Sequence, residues 1–288
     1  MSDFKEYDKK TLKKLQKFLV EMLKDVNYIC DKYDIPYFAL DGTGIGAMRH
    51  EGFIPWDDDI DLRFIEEDAY RFRECVEKEM SDKYYFVDIN NSNYPITFMK
   101  MCRKDTLFID DNAYKLGERT GIFIDIFPMI YVSEDKKVRE KALNKSRLIY
   151  KLGVIAAIEK PVLVYHGLKE KIILFILKVF HMIFKLFHIS FKKIFKYAEK
   201  VGRTADGKTN VIASLNTVKK NASIYELDDI FPVVKKKFED TYVYMPKNGD
   251  KLLREYFGDY MKLPPVEDRH NHFPYEISFN TKKNKKRG

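Results

Sequence analysis

The chain has 288 residues, 45% hydrophobic and 15% aromatic, enough apolar side chain to bury a full core and to exclude a disordered chain. A formal charge of +8 favours an anionic partner: a phosphate, a nucleotide or a membrane surface. Three scattered cysteines, Cys30, Cys75 and Cys102, exclude a disulfide framework or zinc cluster and fit a reducing compartment.

The opening "MSDFKEYDKKTLKKLQKF" lacks the apolar stretch of a signal peptide, so a cytoplasmic protein is expected. Leu12, Leu15, Phe18, Leu19, Met22 and Val26 recur at helical spacing, which predicts a helix over 7–33 that Pro36 stops. "YFALDG" reads as a short strand ending at Gly42 and "TGIGAMRH" as a glycine-rich turn or short helix. "DDIDLRF", reached through the loop "EGFIPW", reads as a second strand. A helical pattern over 66–80 precedes the strand candidates "YYFVDI", "ITFMKMC", "TLFID" and "GIFIDIF". This order predicts an α/β (α+β) domain over 1–130, a mixed sheet flanked by helices.

Residues 131–200 read as a helical insertion. Within it, "KIILFILKVFHMIFKLFHISFKKIFK" (171–196) sets Lys171, Lys178, His181, Lys185, His188, Lys192 and Lys196 along one side of a helix. Such interruptions exclude a transmembrane span. A narrow basic stripe opposite a wide apolar face predicts a helix lying in a membrane interface, and the alternative is a helix buried in a helical subdomain. Both histidines then belong to the polar face. The tail "TKKNKKRG" (281–288) reads as disordered and basic.

"GFIPWDDDIDLRF" (52–64) carries the chemistry. Asp57, Asp58, Asp59 and Asp61 repel one another, and at a partly buried site the cost reaches several kcal/mol unless a cation sits among them. Strand alternation puts Asp57, Asp59 and Asp61 on one face and Asp58, Ile60, Leu62 and Phe64 on the other, against a core. Asp59 and Asp61 would then stand roughly 6–7 Å apart at Cα, which suits carboxylates clasping one or two Mg²⁺ (or Mn²⁺) ions. Asp57 at the strand entrance could join them. Asp125, a lone carboxylate in the apolar run "GIFIDIF", needs a partner, and the metal would be one. A solvated acidic loop is the bland alternative. Gly42, Thr43 and Gly44, between the first strand and the next helix, would let backbone N–H groups approach a phosphate, although the spacing fits neither a Rossmann nor a Walker pattern.

A Gly-Thr turn and helix followed closely by alternating aspartates resembles the nucleotidyltransferase superfamily. More closely, "DGTGIGAMRHEGFIPWDDDIDLRF" is similar to the signature of the LicD family, phosphocholine transferases of bacterial cell-surface glycans whose relatives include the fukutin-type proteins. The similarity continues through "TFMKMCRKDT", "GIFIDIFP", "FPVVKKKFEDTYVYMPKNGDKLLREYFGDYMKLPP" and "RHNH", in the family's order over most of the chain. One departure stands out: the family commonly has Leu-Leu-Gly after Gly-Thr, where this chain has Gly44, Ile45 and Gly46. That loosens the turn and bears on substrate fit, but leaves the carboxylates intact.

The resemblance implies a nucleotidyltransferase-like fold, with 201–280 as the C-terminal part of the catalytic domain. It also implies transfer of a phosphoalcohol group from a CDP-alcohol, CDP-choline foremost, to a hydroxyl of a glycan or glycolipid such as lipopolysaccharide or teichoic acid, with release of CMP. It makes Asp59 and Asp61 Mg²⁺ ligands, Asp57 a further candidate, and Asp125 a third ligand or the general base. Arg49, Lys100 and Arg103 become candidates for the diphosphate, with surface charge as the alternative. "EDRHNHF" gathers Arg269, His270 and His272. His-x-His alone is a weak zinc signature, and the resemblance favours a role at the phosphates or nucleotide. Trp56 offers a face to a trimethylammonium group, or packs the loop. The segment 171–196 lies in the family's variable middle, so the resemblance assigns it nothing. Two competing readings are a small-molecule nucleotidyltransferase using an NTP and a non-catalytic membrane-peripheral protein binding glycan or lipid. Nucleic acid is not an expected partner, since no stacking platform is interleaved with the basic residues. The expected location is the inner face of the cell membrane.

Overall fold

The computed structural model describes residues 7–159, 168–215, 223–269 and 271–281. His270 and residues 282–288 of the basic tail lie outside them.

Helix α1 (Lys9–Tyr33) is capped by the Asp8 carboxylate, which accepts from the Lys10 and Thr11 N–H groups at 3.0 and 2.9 Å. Its stripe of Leu15, Leu19, Met22, Leu23, Val26 and Ile29 is fully buried. The helix stops before Pro36 because Asp34 turns left-handed (φ 51°) and its N–H closes on the Cys30 carbonyl. The expected strand "YFALDG" does not form. Phe38 makes a single bridge to Arg63, and Asp41, at φ 50°, turns the chain straight into α2 (Asp41–His50). A left-handed residue cannot extend a strand, so the glycine-rich stretch is helical from its first residue.

Strand β1 (Asp61–Ile65) is shorter than the expected "DDIDLRF", and α3 (Glu66–Glu79) follows it directly. Next come β2 (Tyr84–Val87), β3 (Met99–Arg103), β4 (Leu107–Ile109), α4 (Asp111–Leu116) and β5 (Phe123–Tyr131). All four strand candidates beyond residue 80 are strands. Helices α5 (Lys136–Ala157), α6 (Leu168–Leu186) and α7 (Phe191–Gly202) intervene before β6 (Val211–Ser214) and β7 (Ile224–Glu226). The short α8 (Leu227–Ile230), a hairpin of β8 (Val234–Phe238) and β9 (Thr241–Met245), α9 (Gly249–Phe257) and β10 (Glu276–Ser278), paired with β4, complete the described chain.

The main sheet has the order β2-β3-β5-β6-β7, antiparallel throughout, with β1 joined to β5 in parallel. The architecture is therefore mixed α/β. Leu62, Phe64, Ile124 and Ile126 are fully buried on the face toward α1 and α3, and Phe64 stacks on Phe72 of α3 at 5.1 Å. Each such side chain contributes roughly 1.5–3 kcal/mol by burial. Alternation leaves Asp61, Arg63, Asp125 and Phe127 on the opposite face.

The stretch 171–196 is not one helix. His188 turns left-handed (φ 52°), Ser190 is extended, and the axes of Lys171–Leu186 and Phe191–Gly202 meet at 100°. Packing explains the break. Phe195 is buried against α5, 4.4 Å from the Tyr150 ring, and Ser146 Oγ donates to the Ala198 carbonyl at 2.7 Å. Holding α7 along α5 turns it out of line with α6. Lys192 and Lys196 consequently leave the stripe that Lys171, Lys178 and Lys185 keep.

Candidate active site

Strand register builds the centre of the site. In the parallel pair Asp61 lies opposite Asp125, and in the antiparallel pair on the other side Lys100 lies opposite the same Asp125. Asp61, Asp125 and Lys100 thus form a row across three strands, at the interstrand spacing of about 4.8 Å per step. Lys100 Nζ is 2.9 Å from Asp125 Oδ1, and both residues are buried. The ammonium also sits 3.3 Å from the Phe123 ring centroid, where the ring face adds to its attraction.

The segment before β1 splits its carboxylates by the expected alternation. Asp58 points inward with Ile60: its carboxylate accepts from Tyr7 Oη at 2.9 Å and from the His272 backbone N–H at 3.0 and 3.1 Å. It ties the start and end of the described chain to the site. Asp57 folds over the first turn of α2, so close that a Cβ on Gly42 would lie 2.7 Å from Asp57 Oδ2. Negative charge is favoured at that helix end. Asp59 faces the imidazole of His272, whose Nδ1 is 3.3 Å from Asp59 Oδ2 and 3.4 Å from Asp58 Oδ1. Oxygens of Asp58 and Asp59 and a ring nitrogen of His272 all fall within 4.8 Å of one another.

The electrostatics are those of a carboxylate cluster short of positive charge. Burial, then the Asp58 charge, pushes Asp57 up to about 6. Burial and the neighbouring Asp125 push Asp61 up to about 7. Burial, with Asp61 next to it, raises Asp59 well above the ordinary carboxylate value. Asp125 is raised by burial although Lys100 opposes the shift. Asp58 beside it holds the His272 imidazole above its ordinary value. Four buried or half-buried carboxylates with raised affinity for protons are a donor set that a hard divalent cation fits.

Other expected residues are committed elsewhere. Thr43 is buried, its hydroxyl accepting the Asp61 N–H at 2.9 Å, so it locks α2 to β1 and has no exposed face for a phosphate. Gly44 is buried within α2 against the Ala39 carbonyl and the Met245 side chain. Arg49 at the end of α2 donates to the carbonyls of Tyr260 and, at 3.3 Å, Lys262, which leaves it holding the C-terminal segment. Arg103 is three residues from Lys100 along β3, hence on the other face, and pairs with Glu21 of α1 at 2.8 Å. Arg269 lies 4.6 Å from the Trp56 ring and donates to the Pro264 carbonyl at 3.1 Å. The chain's own guanidinium therefore covers one face of the Trp56 ring.

Arg63 was not among the sequence candidates. It is buried, ion-pairs with Asp41, and its Nε and Nη1 make no hydrogen bond among the described residues. Together with Asp41, Phe98, Phe127 and Tyr150 it lines a cavity of about 720 Å³ on the sheet face that carries Asp61 and Asp125. The signal was present: an arginine two positions after Asp61 must share its face.

Fold and site together define an α/β domain with clustered carboxylates on the open face of a mixed sheet. Residues 34–151 match the LicD/FKTN/FKRP nucleotidyltransferase domain family. The chain is 29% identical over 267 residues to the lipopolysaccharide cholinephosphotransferase LicD of Haemophilus influenzae, covering 92% of this chain and 96% of that one. It is also 38% identical over 58 residues to an uncharacterized protein of Rickettsia typhi, about a fifth of each (20% and 19%). The chain thus resembles the LicD family, in its domain over residues 34–151 and in its similarity to one member along most of its length.

Proposed function

We propose that the chain transfers a phosphoalcohol group, phosphocholine foremost, from a CDP-alcohol to a hydroxyl of a cell-surface glycan or its lipid-linked precursor. The acceptor oxygen bonds to phosphorus, the bond to the CMP oxygen breaks, and CMP leaves with that electron pair. The observation that carries this reading is the row of Asp61, Asp125 and Lys100 with Asp59 beside it. The cholinephosphotransferase activity of the Haemophilus relative supports phosphocholine as cargo.

In this reading Asp59 and Asp61 hold Mg²⁺ or Mn²⁺, with Asp57 adjoining. The ion would neutralise the donor's diphosphate charge, the main demand of phosphoryl transfer. Lys100 occupies one oxygen of Asp125 and withdraws charge that a metal would want, so Asp125 serves as the base that accepts the acceptor's proton. Arg63, with two buried unbonded nitrogens beside the cavity, replaces Arg49 and Arg103 as the diphosphate ligand.

The test is CMP release from a panel of CDP-alcohols by wild type and Asp59→Asn, with magnesium and with a chelator. Magnesium-dependent CMP from one donor, reduced at least about a thousandfold in the variant, is the expected result. Undiminished release in Asp59→Asn overturns the assignment. Pyrophosphate from an NTP would instead identify nucleotidyl transfer.

A further inference from the structure

Helix α6 is apolar nearly all the way round, and a wide part of that apolar surface is exposed. Ile172, Phe175, Ile176, Met182, Ile183 and Leu186 are each more than 40% exposed, and helical spacing puts them on one continuous face. Exposed Lys171, Lys178 and Lys185, seven residues apart, run along one border of that face. On the half-buried side Ile173, Leu174, Leu177 and Phe184 accompany His181, whose Nδ1 is 3.0 Å from the Ile155 carbonyl, and at the border Lys178 Nζ reaches Glu159 at 3.4 Å. A helix on a water-soluble domain has one apolar stripe and buries it, whereas this one exposes a further apolar face.

We infer that α6 lies in the interface of an anionic bilayer, its apolar face among the acyl chains and its lysine row on the lipid phosphates. Charge selects this occupant. Between residues 171 and 202 the sequence has seven lysines and one acidic residue, Glu199, which suits a phosphate-covered surface. A second copy fits less well, because two-fold pairing through this face would set lysine row against lysine row. No single described helix is long and apolar enough to cross a membrane, and α6 and α7, which have the length only together, meet at 100°. At that bend the chain returns to the domain: Lys192, Lys193, Phe195 and Lys196 of α7 line the cavity that holds Arg63. Resting on the transfer reading, this continuity makes the acceptor a lipid-linked glycan that reaches the cavity from the plane of the membrane.

Flotation of the full chain tests the surface, without donor or metal, so its failure is separable from failure of the transfer reading. Wild type should float with vesicles of phosphatidylcholine and phosphatidylglycerol, and bind pure phosphatidylcholine at least about tenfold more weakly, because each lysine near an anionic surface contributes roughly fivefold. The double variant Phe175→Glu/Leu186→Glu should stay at the bottom with an unchanged thermal midpoint, both side chains being exposed. If that variant misfolds, Lys171→Gln/Lys178→Gln/Lys185→Gln should lose the preference for anionic vesicles. Wild type that does not float, or a folded double variant that floats equally, overturns the inference. A wild-type dimer in light scattering that the same variant dissociates, with no flotation, would assign the face to a second copy.

Discussion

Asp61→Asn should stabilise the metal-free protein while removing its response to magnesium. Asp61 ionises near 7 in the fold against 3.8 in an unfolded chain, because burial and Asp125 disfavour its charge. Between those values the folded state holds a proton that the unfolded state has lost, so stability falls as pH rises. The contribution is whole below 3.8 and gone above 7. About 3 units at roughly 1.4 kcal/mol each put the loss at up to about 4 kcal/mol, an upper bound because Asp61 and Asp125 share it. An asparagine has the shape of the neutral acid and avoids the loss. Urea unfolding in chelator at pH 5 and pH 8 should therefore show the variant gaining on wild type as pH rises. Magnesium at a hundredfold excess over its Kd should stabilise wild type by about 2.7 kcal/mol and the variant far less. Parallel pH profiles for the two proteins would show that the fold tolerates the Asp61 charge at no cost, and the electrostatic case for a cation there would fail.

Lys100→Met removes the partner of a buried carboxylate and should cost about 3–5 kcal/mol at neutral pH by chemical denaturation, much of it recovered in the double variant with Asp125→Asn. Full additivity of the two changes would refute the pairing. Gly42→Ala places a methyl 2.7 Å from Asp57 Oδ2, and the neighbour that must yield is the end of a flexible side chain. Its thermal midpoint should hold or rise, since alanine suits a helix better by about 1 kcal/mol, while turnover should fall if Asp57 belongs to the metal site. Unchanged turnover would remove Asp57 from it.

What was legible in the sequence follows the range over which each signal acts. The period-two pattern of "DDDIDLRF" is local: it matches Asp58 bonding inward to Tyr7, but the regular strand begins only at Asp61, and Asp58 and Asp59 converge on His272. The three-and-four spacing of α1 was equally plain. The glycines of α2 are ambiguous because one sequence feature serves two kinds of geometry. Such glycines can open backbone to a phosphate, but they can also admit a close neighbour: a Cβ on Gly46 would lie 2.4 Å from the Gly52 carbonyl oxygen, so that glycine lets the helix pack against the loop leading to the aspartates. Pairings between distant segments were not legible. Nothing near Lys100 names Asp125 as its partner, and nothing near His272 names Asp58 and Asp59.

These long-range pairings also explain why the family signature outlasts errors about its individual residues. Thr43, Asp58 and Arg49 belong to the matched stretch, but they bond to β1, to Tyr7 and His272, and to the carbonyls of 260–262. They hold the aspartate segment in register with α2, the ends of the described chain and one another. Clustered carboxylates tend to spread apart, and such anchoring holds Asp57, Asp59 and Asp61 together. Thr43 and Arg49, which look like phosphate ligands in the sequence, make positioning contacts here, as does the inward-facing Asp58. Replacing any one should disturb the spacing of the aspartates before it disturbs any direct contact with a donor.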